Sequence, residues 1–228
     1  MAPRARTIVL AIGVAGAAVG LMAGPATAQT EPSGSASGVE GALETPITDI
    51  TLPPIPLVEL PPGGENSLPG IDVPGLVSTD LMEVQSNATG ENGAESSAEV
   101  AGLSALPGVA DVAGELISSS CLSDPSGTEG DSTILGGSAA GTPLAVSPDP
   151  NTSVDVPGVG SVTLNEQTTN GSQTTVRAIH VVVDTALGVG ADLAVATSVC
   201  DSGLGSGGPD LPAEPPATPT SSTPTLAG

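Results

Sequence analysis

Nitrogen and sulfur side chains able to perform acid–base or ligand chemistry are scarce in this sequence. His180 is the sole histidine, Arg177 is the only basic residue beyond position 6, and Cys121 and Cys200 are the only cysteines. Histidine-dependent catalysis would therefore have to run through His180. It sits among Val and Ala in TTVRAIHVVVD (residues 174–184), which is the setting of a structural histidine. A serine nucleophile would need His180 plus an orienting carboxylate, and no G-x-S-x-G turn presents such a serine. Glycine runs occur without the following Lys and helix that cradle phosphates. Carboxylates could pair for glycoside hydrolysis, but no aromatic ring is present to seat a sugar.

Oxygen ligands are the better-stocked class. Asp124, Glu129 and Asp131 lie in DPSGTEGD, a Gly-containing loop whose composition suits calcium. The spacing does not match the twelve-residue calcium loop, and a solvated acidic turn explains it equally. Asp149, Asn151 and Asp155 form a sparser group of the same kind. Two cysteines and one histidine lack the short spacings of a zinc site. Asn87, Asn151 and Asn170 each open an N-x-S/T sequon, and Ser and Thr beside Pro near the C-terminus are open to O-glycosylation.

The charge balance excludes whole classes of partner. The formal charge is −22, and removing Arg4 and Arg6 with a leader leaves one basic residue against 25 acids, or −24. Nucleic acid is excluded as a partner, because phosphate binding needs clustered Lys and Arg. Anionic membrane surfaces are disfavoured for the same reason. Hydrophobic residues make up 38% and charged ones 12%, so the chain can build a core, from aliphatic side chains alone.

Residues 1–28 read as a secretory signal. MAPRAR supplies the positive start, residues 7–24 the apolar run, and Ala26-Thr27-Ala28 a small-x-small cleavage site before Gln29. No second long apolar run follows, so no transmembrane span is expected after cleavage. In an exported chain Cys121 and Cys200 are most simply one disulfide, the alternative being two buried thiols. Closing a loop of 80 residues, both ends counted, would contribute roughly 4.5 kcal/mol. The bridge would join the strand ending at Cys200 to an earlier part of its sheet.

Residues 29–38 (QTEPSGSASG) read as a disordered lead-in, 39–201 as an all-β domain, and 202–228 as a flexible Pro/Thr/Ser-rich tail. The clearest strands are 160–166 and 174–184, joined through Asn170-Gly171, a hairpin signal. Alternation places Val176, Ala178, His180 and Val182 on one face and Arg177, Ile179, Val181 and Val183 on the other. Further strands are expected at 191–199, 76–85, 96–106, 111–122, 132–137 and 143–147. Residues 51–74 hold too many prolines for a central strand and read as an edge strand or covering loop. Closely spaced strands without helices predict a β-sandwich of short antiparallel strands with disordered termini; a β-solenoid is the alternative, although no fixed repeat is found.

The stretch from Pro148 to Cys200 resembles the choice-of-anchor P family of exported actinobacterial proteins. The elements that carry the resemblance are Pro150-Asn151-Thr152, Val156-Pro157-Gly158, Leu164-Asn165-Glu166-Gln167, Ala178-Ile179-His180 and Ala191-Asp192 through Cys200. Gly136-Gly137 and Cys121 fit the same pattern, whereas Arg177 departs from the small polar residue usual there. The resemblance implies a domain found with differing surface-attachment signals, and it brings no enzymatic activity. Leu211-Pro212-Ala213-Glu214-Pro215 lacks the Thr-Gly of a sortase site. The expectation is a secreted or cell-surface protein without enzymatic activity or a required cofactor, structural or adhesive, meeting cell-wall or extracellular components. A secreted hydrolase with a carboxylate-based site and a calcium-binding extracellular module are the alternatives.

Overall fold

The computed structural model describes residues 31–157, 159–184 and 188–204. The leader, the Ala28–Gln29 junction and the tail beyond residue 204 lie outside the described residues. Two antiparallel sheets pack face to face over an aliphatic core, which is the sandwich rather than the solenoid.

The chain begins with the hairpin β1 (Ser33–Glu44) and β2 (Asp49–Leu60) in the first sheet. It then builds the whole second sheet: β3 (Gly64–Pro69), β4 (Asp72–Val73), β5 (Val77–Ser78), β6 (Leu81–Ala88), β7 (Ala94–Ala105), β8 (Val112–Asp124), β9 (Gly127–Leu135), β10 (Ser138–Ala139) and β11 (Thr142–Pro143). It returns to the first sheet with β12 (Thr152–Val156), β13 (Gly160–Asn170), β14 (Gln173–Asp184) and β15 (Gly190–Asp201). The six-stranded sheet runs β12-β13-β14-β15-β1-β2, so the last strand docks beside the first. In the nine-stranded sheet, β5 and β6 lie end to end along β7, and β9 and β10 along β8. Its long lines are therefore β3-β6-β7-β8-β9.

Prolines decide where the edges fall. β2 carries Pro53, Pro54 and Pro56, cannot donate a full ladder, and lies at the border of its sheet. At the opposite border β12 is five residues long, with Pro150 and Pro157 close to its ends. Both edges thus offer little to a further strand. Asn170 pairs with Gln173 across the Gly171-Ser172 turn, as the hairpin signal predicts.

The lead-in expectation is corrected. Residues 33–38 belong to β1, where small side chains reflect close packing rather than disorder. A Cβ on Gly34 would meet the Val199 carbonyl oxygen at 2.8 Å and Ser96 Oγ at 2.9 Å. The domain therefore starts before residue 39. At its other end Ser202 is still buried, so the tail starts later than residue 202.

The alternation expected on β14 is also corrected. Leu164–Asn165, Ala178–Ile179 and Val195–Ala196 are consecutive pairs that are all buried. The registers skip Asn165, Ala178, Ala196 and Gly38, so a crease crosses four neighbouring strands. Asn165 and Ala196 reach it with φ of 49° and 52°. A Cβ on Gly38 would lie 2.8 Å from the Ile55 carbonyl oxygen. Beyond the crease the period of two resumes one residue out of phase. Arg177 and His180 consequently share the outer face, while Ala178 and Ile179 both enter the core.

Crease geometry predicts an unusual substitution pattern at Ala196. A β-branched residue normally favours a strand, but at positive φ it is strained. Ala196→Val should lose about 2–3 kcal/mol in urea unfolding, whereas Ala196→Gly should change stability by less than about 1 kcal/mol. A neutral Ala196→Val would contradict the crease.

Candidate functional site

The one polar cluster built by the crease centres on His180. On β13 Glu166 stands opposite Arg177 of β14, and Arg177 Nη1 donates to Glu166 Oε2 at 2.8 Å. His180 Nδ1 lies 3.0 Å from the same oxygen, and its Nε2 lies 3.2 Å from Asp192 Oδ1 on β15. The imidazole is mostly covered, with 17% of its side chain exposed. Burial, the largest influence on Glu166, raises its pKa, but the Arg177 hydrogen bond and the charges of His180 and Arg177 outweigh it. The carboxyl is held below its usual 4.5. Because each ring nitrogen faces a carboxylate oxygen, this arrangement ties three strands together and aims neither nitrogen at a hydroxyl nucleophile.

A second network uses the residues flanking that cluster. Asn165 turns inward, and its Nδ2 donates to the Pro148 carbonyl at 3.0 Å. Gln167 Nε2 donates to Asn165 Oδ1 at 3.0 Å and to the Gly130 carbonyl of β9 at 2.8 Å. Asn151 Oδ1 accepts from the Gln167 amide at 3.0 Å. The motif Leu164-Asn165-Glu166-Gln167 thus fastens the two sheets on one side and anchors the Arg177–His180 cluster on the other.

The calcium candidates are not gathered into one site. Asp124 caps its own turn, accepting from Ser126 Oγ at 2.5 Å, the Ser126 amide at 2.7 Å and the Gly127 amide at 3.2 Å. The Ser126 hydroxyl first, and then its amide, hold the Asp124 carboxyl below its usual range. Glu129 and Asp131 are exposed on β9. Asp149 contributes its carbonyl to Thr152, while Asn151 serves Gln167 and Asp155 is exposed on β12. Among the described residues, no three of His, Cys, Asp and Glu are placed to hold a metal ion.

The two cysteines form a disulfide, Cys121–Cys200, with a Cα–Cα distance of 6.1 Å. It joins β8 to β15, and so one sheet to the other rather than two parts of one sheet. That correction follows from topology, because residues 63–143 form a sheet of their own. Around the bond the core holds Leu60, Ala94 and Val176, with hydroxyl pairs beside it. Ser119 Oγ and Ser198 Oγ lie 2.7 Å apart, and Ser96 Oγ donates to the Val199 carbonyl at 2.8 Å.

Sequence reasoning missed an acidic row on the outer face of the nine-stranded sheet. Glu65, Glu83 and Glu99, from β3, β6 and β7, line a shallow groove of about 450 Å³ with Ser67, Gln85 and Ser97. Glu83 and Glu99 are directly opposed across the ladder. Nothing local in the sequence marks this row, since it exists only once the strand register is set.

Two measurements follow from these charges. Glu166→Gln should cost about 1 kcal/mol after allowance for solvent screening. Because the folded-state pKa is depressed, that difference should be full above about pH 5 and shrink as acid titrates Glu166 below its usual 4.5. A difference that grows with acid would contradict the assignment. Replacing one of two opposed like charges, Glu99→Lys should raise stability by roughly 0.5 kcal/mol at low ionic strength and by much less in 1 M salt.

No family model matches the chain, and no match is found among curated proteins or among solved structures.

Proposed function

We propose that this chain is exported, cleaved after Ala28, and works outside the cytoplasmic membrane as a non-enzymatic β-sandwich module, structural or adhesive. The observation that carries the reading is the buried Cys121–Cys200 link between the sheets, in a chain that opens with a charged, apolar and small-x-small leader. The resemblance to the choice-of-anchor P family supports the same compartment from the sequence side. The chemistry of the side chains supports a non-enzymatic role. His180 has a carboxylate at each ring nitrogen, and the groove beside Glu65, Glu83 and Glu99 is shallow and polar. Sheet edges guarded by proline suit a module that stays discrete in a crowded exterior. The acidic surface favours solubility and cationic or divalent partners over anionic ones.

Fractionation of the source cells, with intact-mass analysis of the protein recovered, tests the reading. The expected result is a chain beginning at Gln29 in the medium or at the cell surface. A cytoplasmic protein retaining residues 1–28 would overturn it, and a turnover abolished by His180→Ala would overturn the non-enzyme assignment.

A further inference from the structure

We propose that the end of β15 is a mechanical clamp that spreads tension on the C-terminal segment over both sheets. The proposal rests on the preceding reading, in which the module works outside the cell, and adds to it that load enters through the C-terminal segment. Three consecutive residues of β15 each hold the opposite sheet. Ser198 Oγ lies 2.7 Å from Ser119 Oγ, the Val199 carbonyl accepts from Ser96 Oγ at 2.8 Å, and Cys200 is covalently bound to Cys121. The next residue is clasped as well. Asp201 Oδ1 accepts from Ser172 Oγ at 2.6 Å and from the Gly203 amide at 2.9 Å. The Ser172 carbonyl in turn accepts from Ser123 Oγ of β8 at 3.0 Å.

Force entering at Gly203 therefore meets the Asp201–Ser172 clasp first and the disulfide immediately behind it. Tension along β15 would otherwise fall on its ladders to β14 and β1 alone. Here it is intercepted at Cys200 and passes to β8, which is flanked on both sides by β7 and β9. Ser33, where β1 begins, is the ladder partner of Asp201, so both ends of the domain leave at this corner. Only the C-terminal one has a covalent tie beside it. The tie should therefore protect against load on the C-terminal end and leave load on the N-terminal end almost unaffected.

Force-clamp measurements on the secreted chain test the proposal. One handle is fixed at Ile47, which is 94% exposed at the β1–β2 turn, and the other is placed at the C-terminal or the N-terminal residue. Reduction of the tethered, folded protein should shorten its lifetime by about tenfold or more under C-terminal load and by less than about twofold under N-terminal load. Equal shortening from both ends, or none from the C-terminus, would overturn the clamp. The oxidised Ser172→Ala variant keeps the test decisive if the reduced protein does not stay folded. Its lifetime should fall about twofold under C-terminal load alone, and an unchanged lifetime would count against the proposal. These outcomes do not depend on where the protein resides, so they are distinct from the fractionation result.

Discussion

The structure depends on keeping β15 in place. This strand lies at the middle of the six-stranded sheet, between β14, which precedes it in the chain, and β1, which lies at the opposite end of the sequence. Without the β1–β15 ladder, the first sheet would be a hairpin and a separate four-stranded meander. Bringing such distant segments together costs loop-closure entropy. The covalent link from Cys200 to β8 stabilises the whole fold by restricting the unfolded chain, roughly 4.5 kcal/mol in the chain-entropy model. A core lacking aromatic rings has particular use for the contribution.

The interior divides into two regimes. Toward one end, Leu76, Met82, Leu106, Ile117, Ile134, Leu164, Ile179 and Leu193 fill the space between the sheets with aliphatic volume. Around the disulfide, Ser86, Ser96, Ser119 and Ser198 meet as hydroxyl pairs beside Gly34 and Ala94. Buried hydroxyls require partners, and pairing them within the nine-stranded sheet (Ser86–Ser96) and across the sandwich (Ser119–Ser198) supplies these without large side chains. The crease lies across the six-stranded sheet and brings Arg177, His180 and Glu166 to one outer patch. The same change of phase that admits Ala196 to the core therefore places Arg177, the one arginine of the described residues, beside His180 and Glu166 on the outer face.

Much of this was legible in the sequence, for identifiable reasons. Strands announced themselves through alternation, the β13–β14 turn through Asn170-Gly171, the borders through Pro53, Pro54 and Pro56, and the covalent link through a lone pair of cysteines following a leader-like N-terminal stretch. What was misread has a common cause. Residues 33–38 look disordered by composition, but their small side chains are what the close approach of β15 and β7 demands. Ala178 and Ala196 carry no local sign that alternation breaks, because the crease is a property of four strands in register. The row Glu65, Glu83 and Glu99 was hidden for the same reason. Conversely, Asp124, Glu129 and Asp131 are close in sequence, but the β8–β9 hairpin gives Asp124 to its turn and the other two to an exposed strand.

Amide hydrogen exchange, resolved by strand, tests the central place of β15 most directly. The account predicts that amides of β15 and of β8 around Cys121 exchange last in the oxidised protein, at the rate of global unfolding, with β2, β3 and β12 opening earlier. Exchange of β15 ahead of these edge strands would contradict it.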